Sequence, residues 1–152
     1  MIEVRRVGAD DPAARELVAA MEDWVGERFG PQDPDRTSTV AAEEMAPPHG
    51  AFVVLYEDGA PVAGGGLRRL EDGVGEIKRM FVVPSARGRG HGRRVLAALE
   101  AAAAELGYLR LRLDTAQSMT VAIALYRGAG YRDIPDYNGN SYASYWGEKV
   151  LP

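Results

Sequence analysis

The stretch VVPSARGRGHGRRVL, residues 82–96, decides how this chain folds. An apolar run ends at Pro84, three glycines then alternate with basic residues, and a segment with helical apolar spacing follows. A strand, a glycine-rich loop and a helix are therefore expected in succession. Because glycine loses more conformational freedom on folding than any other residue, such a loop needs a compensating role. The stretch could be a flexible basic tether, a nucleic-acid contact or a cradle for a phosphate.

The composition of the whole chain narrows these choices. The 152 residues are 46% hydrophobic and 26% charged, which indicates one globular domain over residues 1–152. The net charge is -4, whereas a general nucleic-acid binder is usually basic. The basic cluster of the loop is therefore a local feature, and it indicates a small anionic ligand rather than a nucleic acid.

Other chemistries are disfavoured by residue counts. The chain has no cysteine, which excludes disulfides and thiolate metal sites, and its two histidines, His49 and His91, are isolated. We therefore predict no metal site. The first residues lack the apolar core of a signal peptide, and no apolar run approaches membrane-spanning length. A cytoplasmic protein without a membrane partner is expected.

Hydrophobic periodicity predicts the order of elements. Before the loop it predicts a strand, a helix, a short helix, a hairpin with its turn near residues 57–59 and a third strand, at residues 2–7, 10–30, 37–45, 51–70 and 72–83. After the loop it predicts a helix that buries Val95, Leu96, Leu99, Ala103 and Leu106. A strand, a short helix and a last strand follow at residues 108–115, 118–131 and 144–151. This order predicts an α+β domain with a mixed sheet.

The loop suits a pyrophosphate on physical grounds. The first amides of a helix have no partner within the helix, and the helix dipole attracts anions to that end. The Walker pattern fails, because no lysine followed by serine or threonine closes the loop. A Rossmann pattern fits Gly88 and Gly90, with Asp114 as the ribose-binding acid, but its third glycine falls one residue early. A solvated basic turn without any ligand also remains open.

Two motifs resemble the GNAT acetyltransferase superfamily. The family's acyl-CoA signature has Arg or Gln, then Gly, then Gly or Ala at fixed spacing, matched here by Arg87, Gly90 and Gly92. Residues 122–131, AIALYRGAGY, resemble the family's later motif, and the element order fits over nearly the whole chain. The resemblance implies a mixed, largely antiparallel sheet flanked by about four helices. It also implies transfer of an acetyl group from acetyl-CoA to a primary amine of a small molecule or peptide.

The resemblance also implies where the donor binds. The sheet is expected to splay between the strand before the loop and the strand at residues 108–115, with the pantetheine arm in the gap. That arm would bond to the backbone of Phe81 and Val83, and the loop amides would hold the pyrophosphate. The predicted cofactor-binding residues are Phe81, Val82, Val83, Arg87, Gly88, Arg89, Gly90, His91 and Gly92. Met119 departs from the family, which often has an asparagine there that contacts the cofactor.

Two residues are candidates for the chemistry. Tyr126 matches the family tyrosine that donates a proton to the leaving thiolate, although its position on a helix also fits a core residue. Glu76 is the candidate general base, since several members place a carboxylate near this point, but it equally fits a structural ion pair. Strict alternation would place Glu76, Lys78 and Met80 on one face of the strand. The other face would carry Ile77, Arg79, Phe81 and Val83. With no cysteine for an acyl-enzyme, direct attack in a ternary complex is expected.

The acceptor is less defined. The aromatic segment at residues 134–146 provides Tyr137, Asn138 and Tyr142 as candidate acceptor contacts, although it could instead cover a sheet edge or a dimer contact. Trp24 and residues 27–36 are the expected opposite wall, by analogy of fold alone. The basic residues on the hairpin and third strand, Arg68, Arg69, Lys78 and Arg79, could meet an acidic substrate group. The last strand, at residues 144–151, is expected to be exposed and could pair in a homodimer. A non-catalytic acyl-CoA sensor and a nucleotide-binding oxidoreductase are the alternative functions.

Overall fold

The computed structural model describes residues 1–31 and 40–152. Seven strands form one sheet in the order β1-β2-β3-β4-β5-β7-β6. Their bounds are β1 Ile2–Val7, β2 Ala51–Glu57, β3 Ala60–Glu71, β4 Val74–Val82, β5 Arg110–Thr115, β6 Arg132–Asp133 and β7 Tyr145–Val150. The helices are α1 Pro12–Phe29, α2 His91–Glu105 and α3 Thr120–Gly128, with 3-10 turns at Ala42–Met45 and Pro84–Ala86.

The predicted fold class is confirmed. All strand pairs are antiparallel except β4 with β5, so the sheet is mixed and largely antiparallel. The helix predicted at residues 37–45 is a 3-10 turn at Ala42–Met45, and residues 37–39 of it lie outside the described residues. The hairpin turn is confirmed, with Asp58 at φ 51° and Gly59 at φ 86°. Positive φ at both central residues gives the twist that suits a two-residue hairpin.

Each face of the sheet has its own apolar core. Helix α2 buries Val95, Leu96 and Leu99 against one face, while α1 buries Ala14 and Leu17 near the other. The helical stripe predicted for α2 is thus present, with one correction. Leu106 is 37% exposed, because α2 ends at Glu105 and Leu106 already caps it.

The parallel pair β4–β5 opens part-way along its length. Val74–Glu76 pair with Arg110–Arg112, while β4 continues to Val82 and β5 to Thr115 beyond these pairs. A gap between two neighbouring strands exposes backbone groups and the edges of both apolar faces. The predicted splay is therefore confirmed, and it creates the cleft described below.

A β-bulge lies in β4 just where the gap opens. Gly64 of β3 pairs with Phe81 and Gly66 with Lys78, so β4 holds one residue more than β3 between these pairs. Arg79 takes up the extra length at φ 60°, a left-handed conformation that is uncommon outside glycine. The predicted strict alternation is therefore wrong beyond Lys78.

The bulge reassigns the side chains that follow it. Met80 and Val82 pack on the α2 core together with Ile77, instead of sharing a face with Glu76. Phe81 instead contacts Trp24 of α1, with ring centroids 6.1 Å apart. The strand thus presents polar groups and then an aromatic ring toward α1, and apolar groups toward α2.

The last strand is more enclosed than predicted. β7 pairs with β5 along its whole length, and β6 pairs with Gly147 and Glu148 on its other side. The expectation of an exposed final strand is therefore wrong over this part, because a two-residue strand that the sequence pattern did not indicate covers it. The homodimer stays a prediction. Across residues 1–31 and 40–152, no helix has both the length and the apolar character needed to cross a membrane.

Candidate active site

The glycine loop reaches α2 through two left-handed residues. Gly88 has φ 82° and Gly90, the residue that caps the helix N-terminus, has φ 81°. Among the residues that the structure describes, no side chain caps this end of α2. Its first amides therefore remain available to an anion, which the helix dipole also favours.

Gly92 has a different role from the other two glycines. A Cβ atom at this position would lie 3.2 Å from Leu125 Cδ2 and 3.8 Å from Met80 Cε. Its φ is not positive, so the glycine serves close packing of α2 against α3 and β4. The sequence interpretation assigned all three glycines to phosphate access; the structure adds this packing role for Gly92, and its part in cofactor binding stays a prediction.

The open edge of β4 belongs to Val82. The N–H of Val83 donates to Val62 O at 2.9 Å, and its C=O accepts from Ala86 N at 2.9 Å. Because successive backbone groups of a strand point to opposite edges, Phe81 also faces β3, where it pairs with Gly64. The backbone of Phe81 and Val83 therefore faces β3 rather than the gap, and of the three predicted strand residues only Val82 presents its backbone to the open edge; a contact with pantetheine stays a prediction.

Arg87 lies on the aromatic wall rather than along the loop amides. Its Nε donates to Val82 O at 2.9 Å, and its guanidinium lies 4.6 Å from the Trp24 ring centroid and 5.5 Å from that of Phe81. Burial lowers the pKa of Arg87, and the nearby charge of Arg28 lowers it further. Such a guanidinium can bind an anion at the mouth of the gap.

The side chains of Arg89 and His91 are already engaged. Both contact Glu57 at 2.8 Å, and the His91 side chain is buried. Their predicted contribution to cofactor binding is therefore limited to backbone N–H groups in this arrangement.

The gap forms a cleft of about 290 Å³. The described residues that line it come from α1, β4, β5, α3 and the segment before β7. They are Met21, Trp24, Val25, Phe29, Ile77, Lys78, Arg79, Met80, Phe81, Leu113, Asp114, Thr115, Ala116, Met119, Tyr126, Asn140, Tyr142 and Ala143. The predicted residues Trp24, Phe81, Tyr126 and Tyr142 thus meet in one cavity, with Met119 beside them.

Tyr126 is a buried tyrosine on the cleft wall. Its ring packs 6.1 Å from Tyr131 and 6.5 Å from Tyr145, measured between centroids. Burial raises the pKa of Tyr126, and the negative charge of Asp114 raises it further. The hydroxyl therefore keeps its proton through the neutral range and is available in the cleft as a hydrogen-bond donor.

Glu76 lies behind the cleft wall. Its side chain is fully buried, and it accepts from Arg68 Nε at 2.8 Å and from the Tyr137 hydroxyl at 2.5 Å. Lys78 Nζ lies 3.5 Å from Glu76 Oε2. Burial raises the pKa of Tyr137, as does the charge of Glu76. Both residues belong to a charged, hydrogen-bonded network, and whether Glu76 acts as a base stays a prediction.

Asp114 is the carboxylate of that network that reaches the cleft. Lys78 Nζ lies 3.3 Å from both Asp114 oxygens, and Asn140 Nδ2 donates to Oδ2 at 3.3 Å. Asn138 bridges the two carboxylates by donating to Asp114 Oδ2 and to Glu76 Oε2. Tyr137 and Asn138, predicted as acceptor contacts, thus lie behind the described lining and hold the carboxylates.

Sequence reasoning missed the part that Asp114 plays here. It considered Asp114 only as a ribose-binding acid, and the pairing with Lys78 spans 36 positions of the chain. Within residues 1–31 and 40–152, no group of three or more His, Cys, Asp or Glu side chains is arranged to hold a metal ion.

Known proteins share this architecture. The profile of the Acetyltransferase (GNAT) family matches residues 14–131. An IAA acetyltransferase from Azospirillum brasilense is 31% identical over 133 residues, covering 87% of this chain and 85% of that protein. An acetyltransferase of the GNAT family from Staphylococcus aureus superposes with a TM-score of 0.81 at 18% identity, over 100% of both chains. The PaiA N-acetyltransferase of Thermoplasma acidophilum, solved with coenzyme A, gives 0.72 at 17% identity over 99% of each.

The fold and the family match together define the class of protein. The two solved structures share the overall fold of this chain, and at their low sequence identity they support the fold alone. The chain belongs to the GNAT acetyltransferase family. It is an acyltransferase of a family that uses acyl-CoA as the donor.

Proposed function

We propose that this protein is an N-acetyltransferase that transfers an acetyl group from acetyl-CoA to a primary amine of a small molecule or peptide. The proposal depends on one observation: the gap between β4 and β5 brings an anion-binding loop for the donor next to a cleft with groups that can transfer protons. The anion-binding start of α2 lies at one end of β4, and Tyr126 and Asp114 line the cleft itself.

The donor is bound mainly by backbone groups. Gly88 and Gly90 shape the loop whose amides face the pyrophosphate, and the N–H of Val82 lies at the open strand edge beside the pantetheine arm, while its C=O accepts from Arg87. Arg87 closes the mouth of the gap against Trp24. Bound acetyl-CoA supplies the thioester whose carbonyl carbon the amine attacks.

The chain's own residues manage two protons. A carbon–nitrogen bond forms as the carbon–sulfur bond breaks, so the leaving thiolate needs a proton and the attacking nitrogen must lose one to give the neutral amide. Tyr126 donates its hydroxyl proton to the sulfur. The amine proton passes to the paired carboxylates, with Asp114 as the group at the cleft and Glu76 behind it, and Lys78 balances their charge. No acyl-enzyme forms on a cysteine, because the chain has none.

The acceptor lies against an aromatic wall. Trp24, which also contacts Arg87 of the loop, and Tyr142 both line the cleft and offer aromatic surface to an acceptor beside the donor. Arg79 also lines the cleft and makes a long ion pair of 3.9 Å with Glu22, so it is placed to meet an acidic group of the acceptor.

The test is Tyr126→Phe in a thiol-release assay with a panel of amines. Because a positioned general acid contributes about a hundredfold or more, kcat should fall about 10²-fold while KM for acetyl-CoA changes little. Tyr131→Phe is the matched control, since it removes a neighbouring buried hydroxyl that bonds to Glu100 and is not among the lining residues. Full activity of Tyr126→Phe at every pH would refute the proton-donor assignment.

A second candidate function is a non-catalytic acyl-CoA sensor. Met119 favours it, because this thioether lines the cleft at a position where related enzymes often place an asparagine that contacts the cofactor. A sensor would bind coenzyme A in a calorimetric titration and release no thiol with any amine. Failure to bind coenzyme A at all would contradict both functions.

A further inference from the structure

Glu57 reaches the glycine loop from a distant part of the sheet. It is the last residue of β2, where it pairs with Ile2 on one side and Ala60 on the other, so its backbone is fixed. Its Oε1 accepts from Arg89 Nη2 at 2.8 Å, and its Oε2 accepts from His91 Nε2 at 2.8 Å. One carboxylate thus joins the loop and the first residue of α2 to a rigid strand end.

A closed ring of contacts continues from this carboxylate. Arg94 Nη1 lies 3.2 Å from His91 Nδ1 and donates to Arg89 O at 2.8 Å. Because arginine only donates, His91 Nδ1 accepts from Arg94 and Nε2 donates to Glu57. The His91 ring is 1% exposed, which leaves it little room to reorient. Every member of the ring, from Glu57 through Arg89 and Arg94 to His91, is therefore held by the next.

The ring fixes the direction of one peptide group in the loop. The C=O and N–H of a trans peptide point in opposite directions. Holding Arg89 O against Arg94 therefore turns the N–H of Gly90 to the other side, and the left-handed φ of Gly90 carries the chain into α2. In a free glycine-rich loop this orientation would be one of many, and ordering it would weaken binding.

We propose that Glu57 is a positioning residue for coenzyme A, which preorganises the amides of residues 88–92 without contacting the ligand. The proposal rests on the proposed function, because it assumes that this loop binds the pyrophosphate. It goes beyond that function by assigning part of the donor affinity to a strand end more than thirty residues earlier in the chain.

A different role for Glu57 predicts that loss of its charge changes the affinity for coenzyme A in the opposite direction. If Glu57 only neutralised Arg89, then removing its charge would free a guanidinium to attract phosphate and would tighten binding. If Glu57 preorganises the loop, the same change weakens binding. The direction of the effect therefore separates the two.

The experiment is Glu57→Gln in the full chain, with steady-state kinetics and calorimetric titration of coenzyme A. We expect KM for acetyl-CoA and Kd for coenzyme A to rise about tenfold, as for loss of one charge-assisted hydrogen bond, while kcat and KM for the amine stay unchanged. Glu105→Gln is the matched control, because Glu105 also pairs with an arginine, Arg6, but lies at the far end of α2. Unchanged or tighter binding of coenzyme A by Glu57→Gln would overturn the proposal.

A double-mutant cycle guards against misfolding of that variant. Arg89 is half exposed, so Arg89→Gln should fold normally. It should weaken coenzyme A binding in the wild-type chain and have little further effect in the Glu57→Gln background. An equal loss in both backgrounds would assign Arg89 to direct phosphate contact and refute the positioning role. If the wild-type chain itself binds no coenzyme A, the proposed function fails instead.

Discussion

The two ends of the cleft are built by different means. The proposed donor end is formed by backbone groups, set by the conformations of the glycines at residues 88 and 90 and by the start of α2. The proposed acceptor end contains a network of buried charges, with Glu76 and Lys78 on β4 and Asp114 on β5. A backbone site can be formed by one short segment of sequence, and it suits a ligand group that is common to every acyl-CoA. A side-chain network needs several separate segments and can differ between enzymes that share the donor.

The two ends also differ in what stabilises them. Burying Glu76, Lys78 and Asp114 removes three charges from water, and that cost is offset by their pairing with one another, by the pairing of Glu76 with Arg68 and by their hydrogen bonds. The loop buries no such group, and its main cost is the ordering of glycines. The acceptor end should therefore be sensitive to loss of one side chain, and the donor end to loss of conformational freedom.

The largest expected effect tests the charge network. Lys78→Met leaves Glu76 and Asp114 as buried carboxylates without the cation between them, so the free energy of unfolding should fall by about 3–5 kcal/mol. Denaturant unfolding at neutral pH measures it. Arg69→Met is the control, because its ion pair with Asp72 is exposed to solvent and should contribute little. Similar losses in the two variants would remove the contrast between the cleft and the surface.

A smaller effect is expected at the donor end. Gly90→Ala introduces a Cβ that has room, with Arg94 Nη1 3.5 Å away, so its cost of about 1–2 kcal/mol comes from the left-handed φ alone. That cost should appear as lower stability, weaker coenzyme A binding or both, measured by denaturant unfolding and calorimetry.

The matched control for Gly90→Ala is Gly26→Ala within α1. A Cβ at this position meets nothing within 4 Å and its φ is not positive, so stability should be unchanged or higher. Tolerance of alanine at both positions would mean that the donor end does not depend on backbone conformation.

The smallest effect concerns alkaline stability of the acceptor end. The folded chain holds the pKa of Tyr137 above the unfolded value of about 10, so in that range the unfolded chain loses the proton first. Stability is then present below pH 10 and falls as pH rises above it, by at most about 1.4 kcal/mol per pH unit for each such tyrosine. Tyr126 and Tyr131 act in the same direction.

Tyr137→Phe isolates one of these tyrosines. Its free energy of unfolding should decline less steeply than that of the wild type between about pH 10 and 11, by about 1 kcal/mol over that interval. Denaturant unfolding at a series of pH values measures the two slopes. Parallel pH curves for the two chains would show that ionisation of Tyr137 is not linked to folding.

The same contrast explains what could be predicted from the sequence. Strand, loop and helix around residues 82–96 follow from local periodicity and glycine positions, and the structure has them there. The contact between Tyr137 and Glu76 spans 61 positions, and that between His91 and Glu57 spans 34. No local pattern indicates which distant side chains the sheet order will bring together. The bulge could not be predicted from the sequence either, because Arg79 is neither glycine nor asparagine and no residue beside it indicates a left-handed conformation.

The extra residue in β4 changes the parity of the strand. A strand sorts its side chains by odd and even positions, and inserting one residue exchanges the two sets from that point on. Without Arg79, a strand that kept Met80 and Val82 in the apolar core would send Glu76 and Lys78 into that core as well. Engineering of β4 can therefore change the identity of its residues more freely than their number, since one deletion would reverse half of the strand at once.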